Sequence, residues 1–174
     1  MLAHCGFTAG NLYDDNPKPG SYSLKSLPAK GHLVLAAGKG VQRKIFYQRL
    51  GGNYYFPNLI HPGALLQDEN SIKLGIGNII TAGCVLTTQI TIGNFVVINL
   101  NATVGHNCQL EDYVSLMPAV NISGGVHLQE GAYIGTGAIV LPGLTVGANS
   151  TVGAGAVVTK DVPAGAVVKG VPAA

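Results

Sequence analysis

The segment Val104–Gln109, VGHNCQ, puts an imidazole at a position where comparable stretches of the chain carry glycine (Gly124), threonine (Thr136) or alanine (Ala154). An imidazole with an unperturbed pKa of about 6.5 is largely neutral at cellular pH and can accept a proton. A positioned base of this kind contributes about 10² to 10⁴ in rate. Taken alone, an outward histidine reads as a solvated or packing residue, so chemistry at His106 needs a second argument. His106 with Cys108 could form half of a metal site, but no second pair with ligand spacing accompanies them, and zinc sites use three or four protein ligands. The three cysteines, Cys5, Cys84 and Cys108, are an odd number without CxxC spacing; they read as small hydrophobes in a reducing compartment.

What would hold His106 is a six-residue period. From Leu74 every sixth residue to Val158 is Leu, Ile or Val, and the position four further on is mostly small or aliphatic, as at Cys84, Ala102, Val120 and Ala138. A helix needs apolar spacing near 3.6 and a simple strand near 2, so a period of six requires another object. Hexapeptide repeats are a β-helix signature. Each hexad supplies a short strand and a corner, three hexads close one coil, and coils stack about 4.8 Å apart as neighbours in a parallel sheet. The anchors point inward, and glycine and asparagine are expected at corners that need positive φ. Fifteen hexads make five coils, and His106, two residues past anchor Val104, lies outside the prism on a face that can pack against another copy.

Before residue 60 the period is absent. His32–Ala37, HLVLAA, reads as a buried parallel strand ending at Gly38-Lys39-Gly40. Val41–Leu50 then has helical spacing and stops at Gly51-Gly52. These pieces predict a small α/β lobe over residues 1–60, with ligands at the carboxyl ends of its strands, followed by the prism over residues 61–174.

The segments LYDDNPKPG, LAAGKGVQRKI, NLIHPGA, VGHNCQL, GAYIGTGAIVLPG and VVKGVPA, in this order, resemble the PglD/NeuD-type sugar acetyltransferases, a group of hexapeptide-repeat acyltransferases. The resemblance implies a mainly β fold: a left-handed parallel β-helix preceded by a Rossmann-like lobe. The family usually starts with a strand and a glycine-rich turn. Here the chain is expected to start after that unit, with residues 1–10 as the tail of the following helix, so that the lobe is truncated or the sugar nucleotide is held differently. Implied too are acetyl-CoA as co-substrate, no metal, a nucleotide-linked 4-amino-4,6-dideoxy sugar, UDP-linked by expectation, and a homotrimer with the coenzyme between adjacent prisms.

By the same resemblance His106 is the general base, and Gly124, eighteen residues on, presents its backbone N–H to the thioester carbonyl. Ser115, Gly124, Thr136 and Ala154 line the coenzyme path. Asp14, Asp15 and Gly38 hold the nucleotide sugar. The family often has an acidic residue after the base. Here it is Asn107, which can orient the imidazole but brings no charge, so slower chemistry or another carboxylate partner is expected.

The composition excludes other classes. A formal charge of +2 and no basic run longer than Arg43-Lys44 give no nucleic-acid footprint, and the basic residues read as scattered solvated charge. Glycine breaks every apolar tract, so no membrane span or secretory leader is expected and the reading is a cytoplasmic protein. A zinc carbonic anhydrase is disfavoured, since the hexads hold only His106 and His127. O-acetylation of a sugar or sialic acid, and a non-catalytic β-helix that binds or organises partners, are the alternatives. His127 is expected to pack, His61 to serve the junction, and His4 and His32 to be structural.

Overall fold

A computed structural model describes residues 10–14, 19 and 21–174. Asp15 and the segment 1–9 lie outside the described residues. From Leu59 onward the chain is a parallel β-solenoid of about six turns, built from two-residue strands on three walls. The first wall has seven strands, from Leu59–Ile60 to Val167–Val168; the second has six, from Leu65–Leu66 to Val157–Val158; the third has five, from Lys73–Leu74 to Thr145–Val146. Register is regular: Thr103 pairs with Asn121 and Val104 with Ile122, one coil apart. The six-step anchors occupy the second residue of each strand, and from Ile80 to Val158 all are buried in one continuous core. Each such side chain contributes about 1.5–3 kcal/mol relative to exposure, which is how strands of two residues hold together.

Glycine has two separate roles here. The glycines directly after anchors do not have positive φ; they let coils approach. A Cβ on Gly105 would lie 2.6 Å from the Gly124 nitrogen on the next coil. Corners needing positive φ fall two residues later, and they take Gln89, Phe95, Tyr113 and Ala119 as well as Gly and Asn. Phe95 and Tyr113 are bulky residues in a costly conformation. Their rings stack with centroids 5.6 Å apart and join Leu35 and Phe56 in a second core, so aromatic burial offsets the strain.

That second core fastens the front segment to the prism. Helix α1 (Gly40–Leu50) forms where helical spacing predicts it. HLVLAA behaves differently: the strand is only Gly31–His32, both exposed, paired in parallel with Tyr54–Tyr55, and among these residues only Leu35 is buried. Among the described residues this strand is hydrogen-bonded on one side only, which is not the covered sheet that the apolar run suggests. Tyr13–Asp14 pairs with Tyr22–Ser23 in a separate two-stranded sheet.

Arg43 departs from the solvated-charge reading, because it is fully buried at the junction. Its Nε donates to Phe95 O at 2.8 Å, Nη1 to Ala37 O at 2.7 Å and Gly38 O at 3.1 Å. Nη2 donates to Tyr113 O at 2.8 Å, Val114 O at 3.0 Å and the Ser115 hydroxyl at 2.9 Å. Every guanidinium N–H thereby has an acceptor. Burial pulls this guanidinium down to about 10, leaving it charged at neutral pH. Among the described residues no helix is long and apolar enough to cross a membrane.

Candidate active site

His106 follows the strand Thr103–Val104, at the edge between the second and third walls, and its side chain is exposed. One coil on, Gly124 occupies the equivalent place after Asn121–Ile122. The imidazole lies directly over this glycine: a Cβ there would be 2.6 Å from His106 Nε2 and 2.7 Å from Cε1. The backbone bond from Gly125 N to His106 O, 2.7 Å, keeps the two corners stacked. Gly124 N–H donates to no other described residue, whereas the corner amides of Asn94 and Glu130 are capped by Asp112 and Glu111 at 2.7 and 2.9 Å. The imidazole thus lies over a glycine whose backbone N–H has no acceptor among the described residues.

Asn107, in the left-handed region at φ 59°, turns its side chain back along the edge. Its Oδ1 is 2.8 Å from His106 Nδ1, and its Nδ2 donates to Gln89 Oε1 at 2.6 Å. Among the described residues no carboxylate comes within ion-pair distance of His106. The acidic group that reaches toward this edge is Asp68, which accepts from the Thr88 hydroxyl at 2.8 Å; the Ser71 and Thr88 hydroxyls hold its carboxyl below the usual range.

Ser115 is not on an open path. It is 1% exposed, and its hydroxyl accepts from Arg43 and donates to Gly38 O at 2.9 Å, so it locks the front segment onto the first wall. Helix α1 and the Gly38 turn cover a side chain that points out of the prism. Thr136 and Ala154 are exposed and stack one coil apart, Gly155 N bonding Thr136 O at 2.8 Å. Their edge lies between the first and second walls, so within one chain they are on a different edge from His106.

Gly38 is exposed, and a Cβ there would meet nothing within 4 Å. The backbone of Asp14 lies in the Tyr13–Asp14 strand, and Asp15 is outside the described residues. A cleft of about 760 Å³ opens in this front segment, bounded by Asn11, Tyr13, Leu33, Ala37, Gln42 and Phe46 among others.

The other described histidines are occupied elsewhere; His4 lies outside the described residues. His127 Nε2 is 2.6 Å from Glu111 Oε1, His61 Nδ1 accepts from Gly63 N, and the His32 ring packs edge-on to Tyr55. Cys84 and Cys108 are buried, and desolvation pushes both thiols up. Among the described residues no group of three His, Cys, Asp or Glu could hold a metal ion. Sequence reasoning missed Gln89 and Arg43. Gln89 stands eighteen residues before Asn107, so the coil period carries its signal; Arg43 finds its partners only through the fold.

A hexad solenoid with an exposed imidazole over a side-chain-free corner defines a hexapeptide-repeat transferase. The family described as bacterial transferase hexapeptide (six repeats) matches residues 125–160. No curated protein sequence matches the chain. Among solved structures it is similar to PerB from Caulobacter crescentus in complex with CoA and GDP-perosamine: 34% identity, TM-score 0.93, over 99% of this chain and 87% of that one. The acetyltransferase domain of PglB from Neisseria gonorrhoeae FA1090, in complex with acetyl coenzyme A, matches at 30% identity and TM-score 0.88 over 99% and 90%. WeeI from Acinetobacter baumannii AYE matches at 31% and 0.81 over 94% and 84%. The chain belongs to the PglD/NeuD-type sugar acetyltransferases of the hexapeptide-repeat family.

Proposed function

We propose that this protein is an acetyl-CoA-dependent N-acetyltransferase acting on a nucleotide-linked 4-amino-4,6-dideoxy sugar. The observation that carries the reading is the His106 imidazole laid over Gly124, on a chain 34% identical to a protein crystallised with CoA and a nucleotide sugar. The sugar amine attacks the thioester carbonyl directly. The C–N bond forms, the C–S bond breaks, and His106 Nε2 takes the amine proton and returns it to the departing thiolate. Gly124 N–H donates to the carbonyl oxygen as negative charge develops, and the absent side chain leaves room for the acetyl group.

Thr136 and Ala154 line the coenzyme path, and Asp14, Asp15 and Gly38 contact the nucleotide sugar. Since the Thr136 edge and the His106 edge are different edges of one prism, a site using both draws on neighbouring copies. This supports coenzyme bound between prisms; the trimer and the left-handed coil come from the family resemblance. The lobe of residues 1–60 delivers the sugar, and the prism of residues 61–174 carries the chemistry, in the cytoplasm where acetyl-CoA is made available. UDP is the nucleotide the sequence resemblance favours; the GDP-perosamine bound by PerB makes GDP the second reading.

Thiol release from acetyl-CoA, followed with a panel of UDP-, GDP- and dTDP-linked 4-amino and 4-hydroxy sugars, tests the proposal. Release must depend on an amino sugar and fall by about 10² or more in His106→Ala. Coenzyme binding without turnover would favour a binding module, and turnover with hydroxyl sugars alone would make the protein an O-acetyltransferase.

A further inference from the structure

We propose that Gln89 is a positioning residue that sets the tautomer of His106 through Asn107. The inference rests on the reading of His106 as the base. An amide has one accepting and one donating end, so a chain of amides carries direction. Gln89 Oε1 can only accept, and Asn107 Nδ2 donates to it at 2.6 Å. Asn107 is thereby turned so that Oδ1, also only an acceptor, faces His106 Nδ1 at 2.8 Å. Nδ1 must then carry the proton. Nε2, the ring atom over Gly124, is left with its lone pair free, the form a base needs.

The reverse orientation of both amides would put a donor against Nδ1 and the proton on Nε2, where it blocks the reaction. Asn107 alone cannot choose between the two, since its ends are nearly the same size. A carboxylate at that position would accept from Nδ1 whichever way it turned. With an amide at 107, the orientation depends on the partner one coil below, where Gln89 presents Oε1 to Asn107 Nδ2.

Gln89 is itself held. Its backbone is in the left-handed region at φ 54°, and its N–H donates to the Ser71 hydroxyl at 2.8 Å. Ser71 and Thr88 hydroxyls meet at 3.0 Å, and Thr88 bonds Asp68 Oδ2. Asn107 N donates to Thr88 O at 3.1 Å, tying the two corners in register. The Asp68 network thus holds the corner from which the Gln89 side chain reaches Asn107.

The test is a long-range proton–nitrogen NMR spectrum of ¹⁵N-histidine-labelled protein without substrates, the His106 signals assigned by their loss in His106→Gln. Neutral His106 should show a protonated Nδ1 and an unprotonated Nε2. Gln89→Met, of similar length but with no accepting oxygen, should shift the ring toward the Nε2–H form. It should also lower kcat on the order of tenfold, with KM for acetyl-CoA unchanged. Gln89→Glu, which keeps an acceptor, should restore the Nδ1–H signature and recover most of the rate lost in Gln89→Met. A purely structural role would move the melting temperature in both variants and leave the tautomer alone. The proposal is overturned if wild-type His106 carries its proton on Nε2, or if Gln89→Met leaves the spectrum unchanged. If the tautomer shifts as described while His106→Ala retains wild-type turnover, the positioning role stands and the assignment of the base fails.

Discussion

Replacing Gly124 with alanine separates catalysis from stability. The added Cβ would sit 2.6 Å from His106 Nε2, 2.7 Å from Cε1 and 3.0 Å from Cδ2. Ordinary carbon contacts begin near 3.5 Å, so the ring must retreat by about 0.9 Å. Two consequences compete. Gly124 is not at positive φ, and the atoms it would strike are the far end of an exposed side chain that can rotate away. The folding cost should stay below about 0.5 kcal/mol, less than about 2 °C in melting temperature. A displacement of about 1 Å at a reacting atom, however, costs about 10²-fold in rate, or ~2.7 kcal/mol on the barrier. Thiol release from acetyl-CoA at varied amino-sugar concentration should show kcat/KM down by about 10², with an unchanged thermal melt in the same preparation. A variant with wild-type kcat/KM refutes the placement of chemistry over Gly124. A large drop in melting temperature refutes the reasoning that the glycine serves the ring rather than the coil.

Other perturbations probe separate parts. Asn107→Asp supplies the missing carboxylate beside the imidazole; by stabilising the protonated ring it should move the acidic limb of the kcat/KM–pH profile upward by about 1 unit, and a fixed limb would argue against contact between the two side chains. Arg43→Met leaves the carbonyls of Phe95, Tyr113 and Ala37 without a buried donor, and urea unfolding should show a loss of ~3 kcal/mol or more. In a Cys5→Ser background Cys84 and Cys108 should be inert to Ellman's reagent at pH 8 until denaturant is added, since both are buried with raised thiol pKa; rapid native labelling would contradict the core placement.

The prism was legible because its physics is local and repeated. One buried aliphatic in every hexad, from Ile80 to Val158, is a pattern that six-step counting detects directly. The same counting brings His106 and Gly124 onto one edge, and it would have brought Gln89 there too. The front segment resisted because it has no repeat to count and its stability comes from distant partners. Nothing in HLVLAA says that only Leu35 will be covered, or that Arg43, beside a lysine in a helix, will be enclosed by carbonyls from residues 95 and 113. Ser115 shows the same limit: its hydroxyl faces outward by strand alternation, and only the fold reveals that helix α1 and Gly38 lie on top of it. Phe95 and Tyr113 at positive φ show the limit of reading corners from glycine and asparagine alone, because aromatic packing between coils can override backbone preference.

The most direct measurement is a crystal structure of the protein with CoA and the amino-sugar nucleotide that supports turnover. The account predicts the sugar amine within hydrogen-bond reach of His106 Nε2, with Gly124 N–H turned toward the thioester end of the coenzyme. An amine bound away from His106, or a coenzyme whose thiol lies on an edge remote from Gly124, would contradict it.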